Sequence, residues 1–387
     1  MLQKTGVTNQ MYEQHDTQKP ALEPISPQYD PWDPIRSKRA YGEHRLTSVE
    51  LTVTNLCNMR CEHCAVGETL SMTEGPRIPL SVILKRLDEV EELETISITG
   101  GEPSYHERTV REYIVPLLRY ARERGVRSQI NSNLTLDLSR YELLAPYLDV
   151  MHISFNYVNA EDFHEVGFVN SARKAVRETS AKLYERMVEN TIALSRAGMF
   201  VSAESMINYR THEKLASIHR LIEEMGCRRH EVHPMYPSAF ASKLPVLSLE
   251  QTRTAIHRLL DSRSRDLWML FGTLPFYACC ELEEDRDLVK RLRTEPNVTV
   301  RNDPDGRNRL NVNVFTGDVF VTDFSDVPAL GNVHTDRLDE VFGRWKAHPL
   351  CHTVDCYCPA AVCCGPNLLV ADTYYKHLDF TTRQAVV

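Results

Sequence analysis

Three cysteines, Cys57, Cys61 and Cys64, stand at C-x-x-x-C-x-x-C spacing in the segment TNLCNMRCEHC. Thiolates are ligands of iron-sulfur clusters and of zinc, and a [4Fe-4S] cluster closed by protein takes four of them. Three ligands leave one iron open. An amino and a carboxylate group can chelate that iron, which sets a bound molecule beside a low-potential electron donor. The bland readings are a zinc knuckle with His63 as fourth ligand, or plain buried thiols. Cys61-Glu62-His63-Cys64 is cramped for His63 and both flanking cysteines to share one ion. A second motif, Thr99-Gly100-Gly101-Glu102-Pro103, follows the next β-rich run. Its glycines allow close backbone approach and its acid can receive an ammonium group, although Gly-Gly-Glu also occurs as turn punctuation.

Near the end of the chain, CHTVDCYCPAAVCCGPN supplies Cys356, Cys358 and Cys363, with Cys351 and Cys364 beside them. In a regular strand Cys356 and Cys358 would share a face and Cys363 would oppose them, so joint ligation requires an irregular loop. Pro359 and Gly365 suit one. An auxiliary iron-sulfur cluster, zinc, or redox-active or inert thiols all fit this pattern, and a fourth ligand could come from Cys279, Cys280, Cys351 or Cys364. Cys227, beside Gly226 at a helix end, reads as structural.

The elements that must position these residues are legible as periodicity. From about residue 46 to 240 short β-rich runs alternate with amphipathic helices, the signature of βα units on a parallel sheet. TSVELTVTN runs directly into the first cysteine loop, which places that loop at the carboxyl edge where α/β barrels carry chemistry. TISITGGEP, VRSQINSN, VMHISFN, MFVSAESMIN and HEVHPMY read as the following strands. Between them the spacing predicts helices over LSVILKRLDEVEEL, REYIVPLLRYARERG, SRYELLAPYL, residues 172–197 and HEKLASIHRLIEEMG. Six such units do not close an eight-stranded barrel, so a partial, open (β/α)6 barrel over residues 45–245 is expected. Residues 1–44, rich in Pro, Gln and charge, read as an extended N-terminal arm in which Tyr29 and Trp32 are candidates to pack. Residues 246–387 read as a smaller Cys-rich α+β domain, with LNVNVFTGDVFVTDF a hairpin turning at Thr316-Gly317-Asp318.

The chain has 387 residues, a net charge of -8 and eleven cysteines. The acidic balance offers no general attraction for a phosphate backbone, so nucleic acid is not a favoured partner. No signal-like segment opens the sequence and no run approaches the ~20 apolar residues of a membrane span. Clustered thiols without a secretion signal point to a reducing, cytoplasmic setting.

Over residues 46–245 the chain resembles the radical S-adenosylmethionine (SAM) superfamily, on the cysteine loop together with the Gly100-Gly101-Glu102-Pro103 element, which looks like the family's GGEP motif. The resemblance implies a [4Fe-4S] cluster on Cys57, Cys61 and Cys64, with SAM chelated to the open iron and cleaved reductively to a 5′-deoxyadenosyl radical that abstracts hydrogen from a substrate. It implies that Gly100, Gly101, Glu102 and Pro103 seat the methionine moiety, that Asn133 contacts the ribose and that Ser154 faces SAM. Val232 and Met235 are candidates for the adenine or for core packing, and Arg173 or Arg177 either matches a carboxylate-binding Arg of related enzymes or, the plainer reading, is a solvated helix charge. His63 stands where the family commonly has an aromatic ring. The tail, Cys356-x-Cys358-x4-Cys363, resembles the radical SAM/CxCxxxxC-motif (YfkAB-like) family, and GDVFVTDFSDVPALGNVHTDRLDEVF looks like the entry to a SPASM or twitch domain. Val321-Thr322-Asp323 replaces the usual cysteine there, which argues against a full two-cluster SPASM domain. The implied partners are SAM, an unidentified substrate of which a peptide is one class, and an external low-potential donor such as flavodoxin or ferredoxin. The alternative reading is a non-catalytic iron-sulfur electron or cluster carrier.

Overall fold

The expected β-rich runs become consecutive strands, β1 (Ser48–Thr54), β2 (Thr95–Gly100), β3 (Arg127–Ser132), β4 (Val150–Ser154), β5 (Phe200–Ile207) and β6 (Arg229–Pro234), each parallel to the next. The computed structural model describes residues 22–171, 177–237, 240–322, 328–349, 351 and 366–376. Helices α2 (Leu80–Asp88), α3 (Glu107–Thr109), α4 (Val115–Arg124), α5 (Leu138–Glu142), α6 (Ala160–Gly167), α7 (Arg177–Arg196) and α8 (Leu215–Glu224) lie between the strands, and α1 (Ile35–Tyr41) precedes them. A π-helical turn, Val110–Ile114, leads into α4, which stops at Gly125 with φ +72°. That left-handed turn is readily adopted only by glycine.

The sheet runs on past residue 245, where the sequence pattern places a boundary. After α9 (Leu249–Ser262), β7 (Trp268–Gly272) pairs in parallel with β6, and after α10 (Glu283–Thr294), β8 (Val298–Arg301) pairs in parallel with β7. The apolar run DLWMLFG behind a crossover helix has what a buried parallel strand requires. β9 (Arg309–Asn313) then returns to pair in parallel with β1, and β10 (Asp318–Phe320) and β11 (Gly331–Asn332) add antiparallel strands outside it. The β9–β10 hairpin turns through Gly317, φ +80°, as expected. Two further helices, α11 (Leu338–Lys346) and α12 (Pro366–Tyr374), complete the described elements.

Segment 302–308 joins β8 to β9 across the width of the sheet. A flat sheet would separate those strands by about 38 Å at ~4.8 Å per strand. Fully extended, the segment reaches only about 29 Å. The sheet therefore curls into an open barrel. Its outer face is apolar: Leu51, Ile98, Ile130 and Ile153 pack with Ile83, Leu117 and Met187, and Ile207, Val232 and Phe271 form a second cluster with Leu215, Ile256 and Leu288. Burying each such side chain stabilises the fold by roughly 1.5–3 kcal/mol.

The arm differs from its expected extended form. Asp30 Oδ1 accepts from the Trp32 backbone N–H (3.1 Å) and Asp33 Oδ1 from that of Ile35 (3.1 Å), which turns the chain into α1 and leaves Trp32 only 1% exposed. A seven-residue helix is too short to show periodicity in sequence. Among the described residues no helix is long and apolar enough to cross a membrane.

Candidate active site

Because β1 to β8 are parallel, their carboxyl ends share one rim, and the loop after β1 carries Cys57, Cys61 and Cys64 onto it. The end of β2 is pressed against that loop. Gly101 N–H donates to Thr54 O (2.8 Å) and Glu102 N–H to Leu56 O (2.7 Å). A Cβ on Gly100 would stand 2.2 Å from Thr54 O, and one on Gly101 would stand 2.2 Å from Leu56 O and 3.1 Å from the Cys57 Cβ. Only glycine permits this approach, and what it approaches is the cysteine loop.

Glu102 is fully buried, and its carboxylate accepts from the Ser104 N–H (3.1 Å), the Ser132 hydroxyl (2.9 Å) and the Asn133 N–H (2.7 Å). Burial pushes this carboxyl up to about 7, against the opposing pull of those donors and of Arg140. Glu102 thus braces the end of β3 against the end of β2. Asn133, so placed, donates from Nδ2 to Asn58 Oδ1 (3.0 Å), with the same nitrogen 3.9 Å from Cys57 Sγ. Its Oδ1 accepts from the Thr135 hydroxyl (2.7 Å), which in turn accepts from Asn58 Nδ2 (2.7 Å). Asn133 is therefore tied to the cysteine loop, while Ser154 ends β4 with its side chain exposed. Pro103 is buried.

The other flank of the loop is held by residues that motif reading passed over. Arg60 donates to the Cys57 and Met59 carbonyls (2.8 Å each) and to Ser71 O (3.2 Å). Glu62, 6% exposed, accepts from Arg210 Nε (2.5 Å) and from the Tyr209 hydroxyl (2.9 Å). An acid between two cysteines of the loop was the available signal; its partner lies 148 residues away.

The three cysteines are free, half-buried thiols. Burial pushes Cys57 up to about 12, with charge from Glu102 and Cys64 adding to it, raises Cys61 well above the ordinary value with Cys57 and Cys64 adding, and raises Cys64. Three thiolates here need a nearby cation, which a cluster's iron provides on binding. The donor set fits such a cluster: three thiols, with the Met59 N–H aimed at Cys57 Sγ (3.4 Å). His63 is buried with Nδ1 unpartnered, and apart from burial its electrostatic neighbours are Glu62, Glu204 and Arg210 rather than thiols. Among the described residues no three His, Cys, Asp or Glu side chains converge on a single-ion site.

Below the rim the inward-facing residues are polar. His152 Nε2 meets Glu204 Oε2 (2.9 Å), and Glu231 meets His233 Nε2 (2.9 Å), Arg229 (3.2 Å) and Arg301. Burial would raise Glu231, but Arg301 and Arg229 hold it well below the carboxylate range. Val232 instead packs outward in the core, Met235 is buried, and Arg177 pairs with Glu161 at the surface; Arg173 lies outside the described residues. Cys356, Cys358 and Cys363, with Cys364, also lie outside them. Of the fourth-ligand candidates, Cys280 accepts from the Tyr277 N–H (3.2 Å) and lies 3.7 Å from the Tyr375 hydroxyl, beside the end of α12.

An open parallel barrel with a three-thiol loop under the GGEP strand end defines a radical SAM enzyme. In agreement, a model of the radical SAM superfamily matches residues 51–224 and one of the YfkB-like domain matches residues 235–385. The chain is 56% identical over 370 residues to the putative protein YfkA of Bacillus subtilis (strain 168), covering 95% of this chain and 99% of that one. The chain belongs to this YfkAB-like family of the radical SAM superfamily, whose cofactors are a [4Fe-4S] cluster and SAM. Among solved structures it is similar to Streptococcus suis SuiB bound to SAM, with a TM-score of 0.59 and 14% identity over 83% of this chain and 72% of that chain. It is also similar to anSMEcpe with bound SAM, with a TM-score of 0.53 and 13% identity over 76% of this chain and 80% of that chain. SuiB is also known bound to the precursor peptide SuiA, and anSMEcpe with SAM and the Cp18Cys peptide. At these identities the likeness is one of fold.

Proposed function

We propose that this enzyme uses SAM-derived radical chemistry to abstract hydrogen from a peptide substrate held at the barrel mouth. The observation that carries the radical chemistry is the three-thiol loop clamped under the Gly100-Gly101 strand end. A [4Fe-4S] cluster with SAM, when bound, would supply one-electron reductive chemistry at the SAM sulfonium. The chain's own residues orient and shield. Cys57, Cys61 and Cys64 hold the cluster, and the strand end from Gly100 to Pro103, braced by Glu102, seats the methionine moiety. Asn133 and Ser154, at the ends of β3 and β4, border the nucleoside side. The peptide class is supported by the fold shared with SuiB and anSMEcpe, both of which bind peptides.

Cys356, Cys358 and Cys363, with Cys279, Cys280, Cys351 or Cys364 as fourth ligand, are assigned to an auxiliary iron-sulfur cluster. An external flavodoxin or ferredoxin delivers the electron, in a reducing cytoplasm that suits a chain of eleven cysteines. The test is anaerobic reconstitution followed by a dithionite-driven assay for 5′-deoxyadenosine, comparing the native chain with Cys57→Ala, Cys61→Ala and Cys64→Ala. Loss of cleavage in each variant is expected. Native-level cleavage in any one of them would remove that cysteine from the cluster.

A further inference from the structure

Alternation along the strands separates an outer set of side chains from an inner one. Met151 and Ile153 of β4 and Val201 and Ala203 of β5 pack in the outer core, so His152, Ser154 and Glu204 face the lumen; on β3, Ile130 packs outward and Asn131 inward. Asn131 is the register partner of His152, and Ser154, the last residue of β4, is that of Glu204. Glu204 therefore stands one strand from a residue assigned above to the nucleoside side.

The groups on this wall are acceptors. Glu204 keeps 27% of its side chain accessible, and burial, which works against its charge, is outweighed by the His152 hydrogen bond and by nearby His233, so its carboxyl lies below the ordinary value. An ionised Glu204 places the proton of this bond on His152 Nε2, which makes Nδ1 of the neutral ring an acceptor. That nitrogen is buried without a partner in a side chain only 7% exposed, and Asn131 Oδ1 is buried without one as well. Among the described residues no lysine or arginine pairs with Glu204. The guanidiniums of the lumen are engaged elsewhere: Arg229 and Arg301 answer Asp30 and Glu231, and Arg309 answers Glu50, Asp303 and Asp305. His233 meets Glu231 through Nε2, and a Cβ on Gly272 would stand 1.9 Å from its Cε1, so its ring leans over β7, away from β5.

We infer that the lumen holds the side-chain ammonium of a lysine in the peptide substrate, with Glu204 as its counter-ion and His152 Nδ1 and Asn131 Oδ1 as further acceptors. The inference rests on the peptide reading above and names the residue type it would admit. An ammonium carries three donors and no acceptor, which matches a wall of acceptors around a carboxylate that no arginine or lysine answers. A cleft with an excess of one charge between low-dielectric walls also concentrates the opposite charge.

The experiment uses the full chain, reconstituted anaerobically, with two blocked tripeptides, acetyl-Gly-Lys-Gly-amide and acetyl-Gly-norleucine-Gly-amide, each deuterated throughout the central side chain. Binding is measured by calorimetry with SAM present, and deuterium in 5′-deoxyadenosine is read by mass spectrometry after dithionite is added. The wild-type chain is expected to bind the lysine probe about tenfold more tightly than the norleucine probe and to take deuterium from it in preference. Glu204→Gln is expected to erase the preference, and Glu204→Asp to keep part of it. Equal binding of the two probes by the wild-type chain, or an undiminished preference in Glu204→Gln, would overturn the inference alone. An equal loss of SAM affinity in Glu204→Gln would assign the carboxylate to the cofactor and overturn it too. Binding of neither probe would sink the peptide reading and the inference with it. A lysine preference without any 5′-deoxyadenosine would leave the inference standing and remove the radical chemistry.

Discussion

At the rim of the barrel one flank of the cysteine loop is fastened by short, neutral contacts, glycine backbone against Thr54 and Leu56 and the Asn58, Asn133 and Thr135 side chains against one another, while Arg60 and the Glu62–Arg210 pair hold the other flank. At the floor closure is charged: Asp30 of the arm lies 3.7 Å from Arg229, the first residue of β6, and its carboxylate also meets Arg301, the last residue of β8, at 2.8 Å, while Trp32 is buried beside Asp30 in sequence. Backbone can press against backbone only where no side chain intervenes, so the flank beside Gly100 and Gly101 closes on neutral groups. Buried ions are tolerated at the floor because the desolvation of each is offset by its partners.

The severest test of the rim is Gly101→Ala. Its Cβ would collide with Leu56 O at 2.2 Å, so the cysteine loop must shift, and reconstituted iron is expected to fall to a small fraction of wild type. Gly75→Ala, with nothing within 4 Å of the added carbon, serves as control and should load normally. Equal iron in both variants would show that the close approach is not required. At the floor, Trp32→Ala is expected to cost about 3–5 kcal/mol of unfolding free energy, read from the denaturant midpoint, by leaving a cavity. The surviving folded fraction should still load its cluster. A coordinate loss of iron per folded chain would mean that the two ends are coupled rather than separate.

The smallest effect concerns neither end but the wall between them. His219 Nδ1 meets His230 Nδ1 (3.0 Å), His230 Nε2 meets Ser205 Oγ (3.0 Å), and the Ser264 N–H donates to His219 Nε2 (3.1 Å). These partners require both rings neutral. Burial lowers His219 to about 4, with Glu223 opposing and Arg263 assisting, and burial with His219 lowers His230 well below its ordinary value while Glu231 opposes. Below the unfolded value of 6.5 the unfolded chain takes up protons that the native pair refuses, so stability falls as pH drops toward 4. The slope is on the order of 1 kcal/mol per pH unit. A His219→Gln chain should lose part of that slope in denaturation measured between pH 6.5 and 4.5. An identical slope would assign the pH dependence to other groups.

The outer face of the barrel was legible because strand alternation and helix spacing are local patterns. The runs through Leu51, Ile98 and Ile153 show the same face in sequence and in space. The cysteine loop and GGEP were legible because the spacing of cysteines along one loop is a local pattern. The function of the glycines was visible only in part: close approach was expected from their lack of a side chain, but its object is the backbone of the cysteine loop. The arm hid its short helix, since seven residues show no period.

What the amino-acid order specified unaided is therefore short-range: six strands and their helices, the three-thiol loop at a strand end, and a Gly-Gly turn after the next strand. Folding settled which distant groups meet. Glu62 finds Arg210 148 residues on, Asp30 finds Arg301 271 residues on, and β9 returns to pair beside β1. Such contacts leave no periodic trace, because a buried charge or a returning strand is indifferent to how far along the chain its partner lies. Its position is set only when the curled sheet brings the two together.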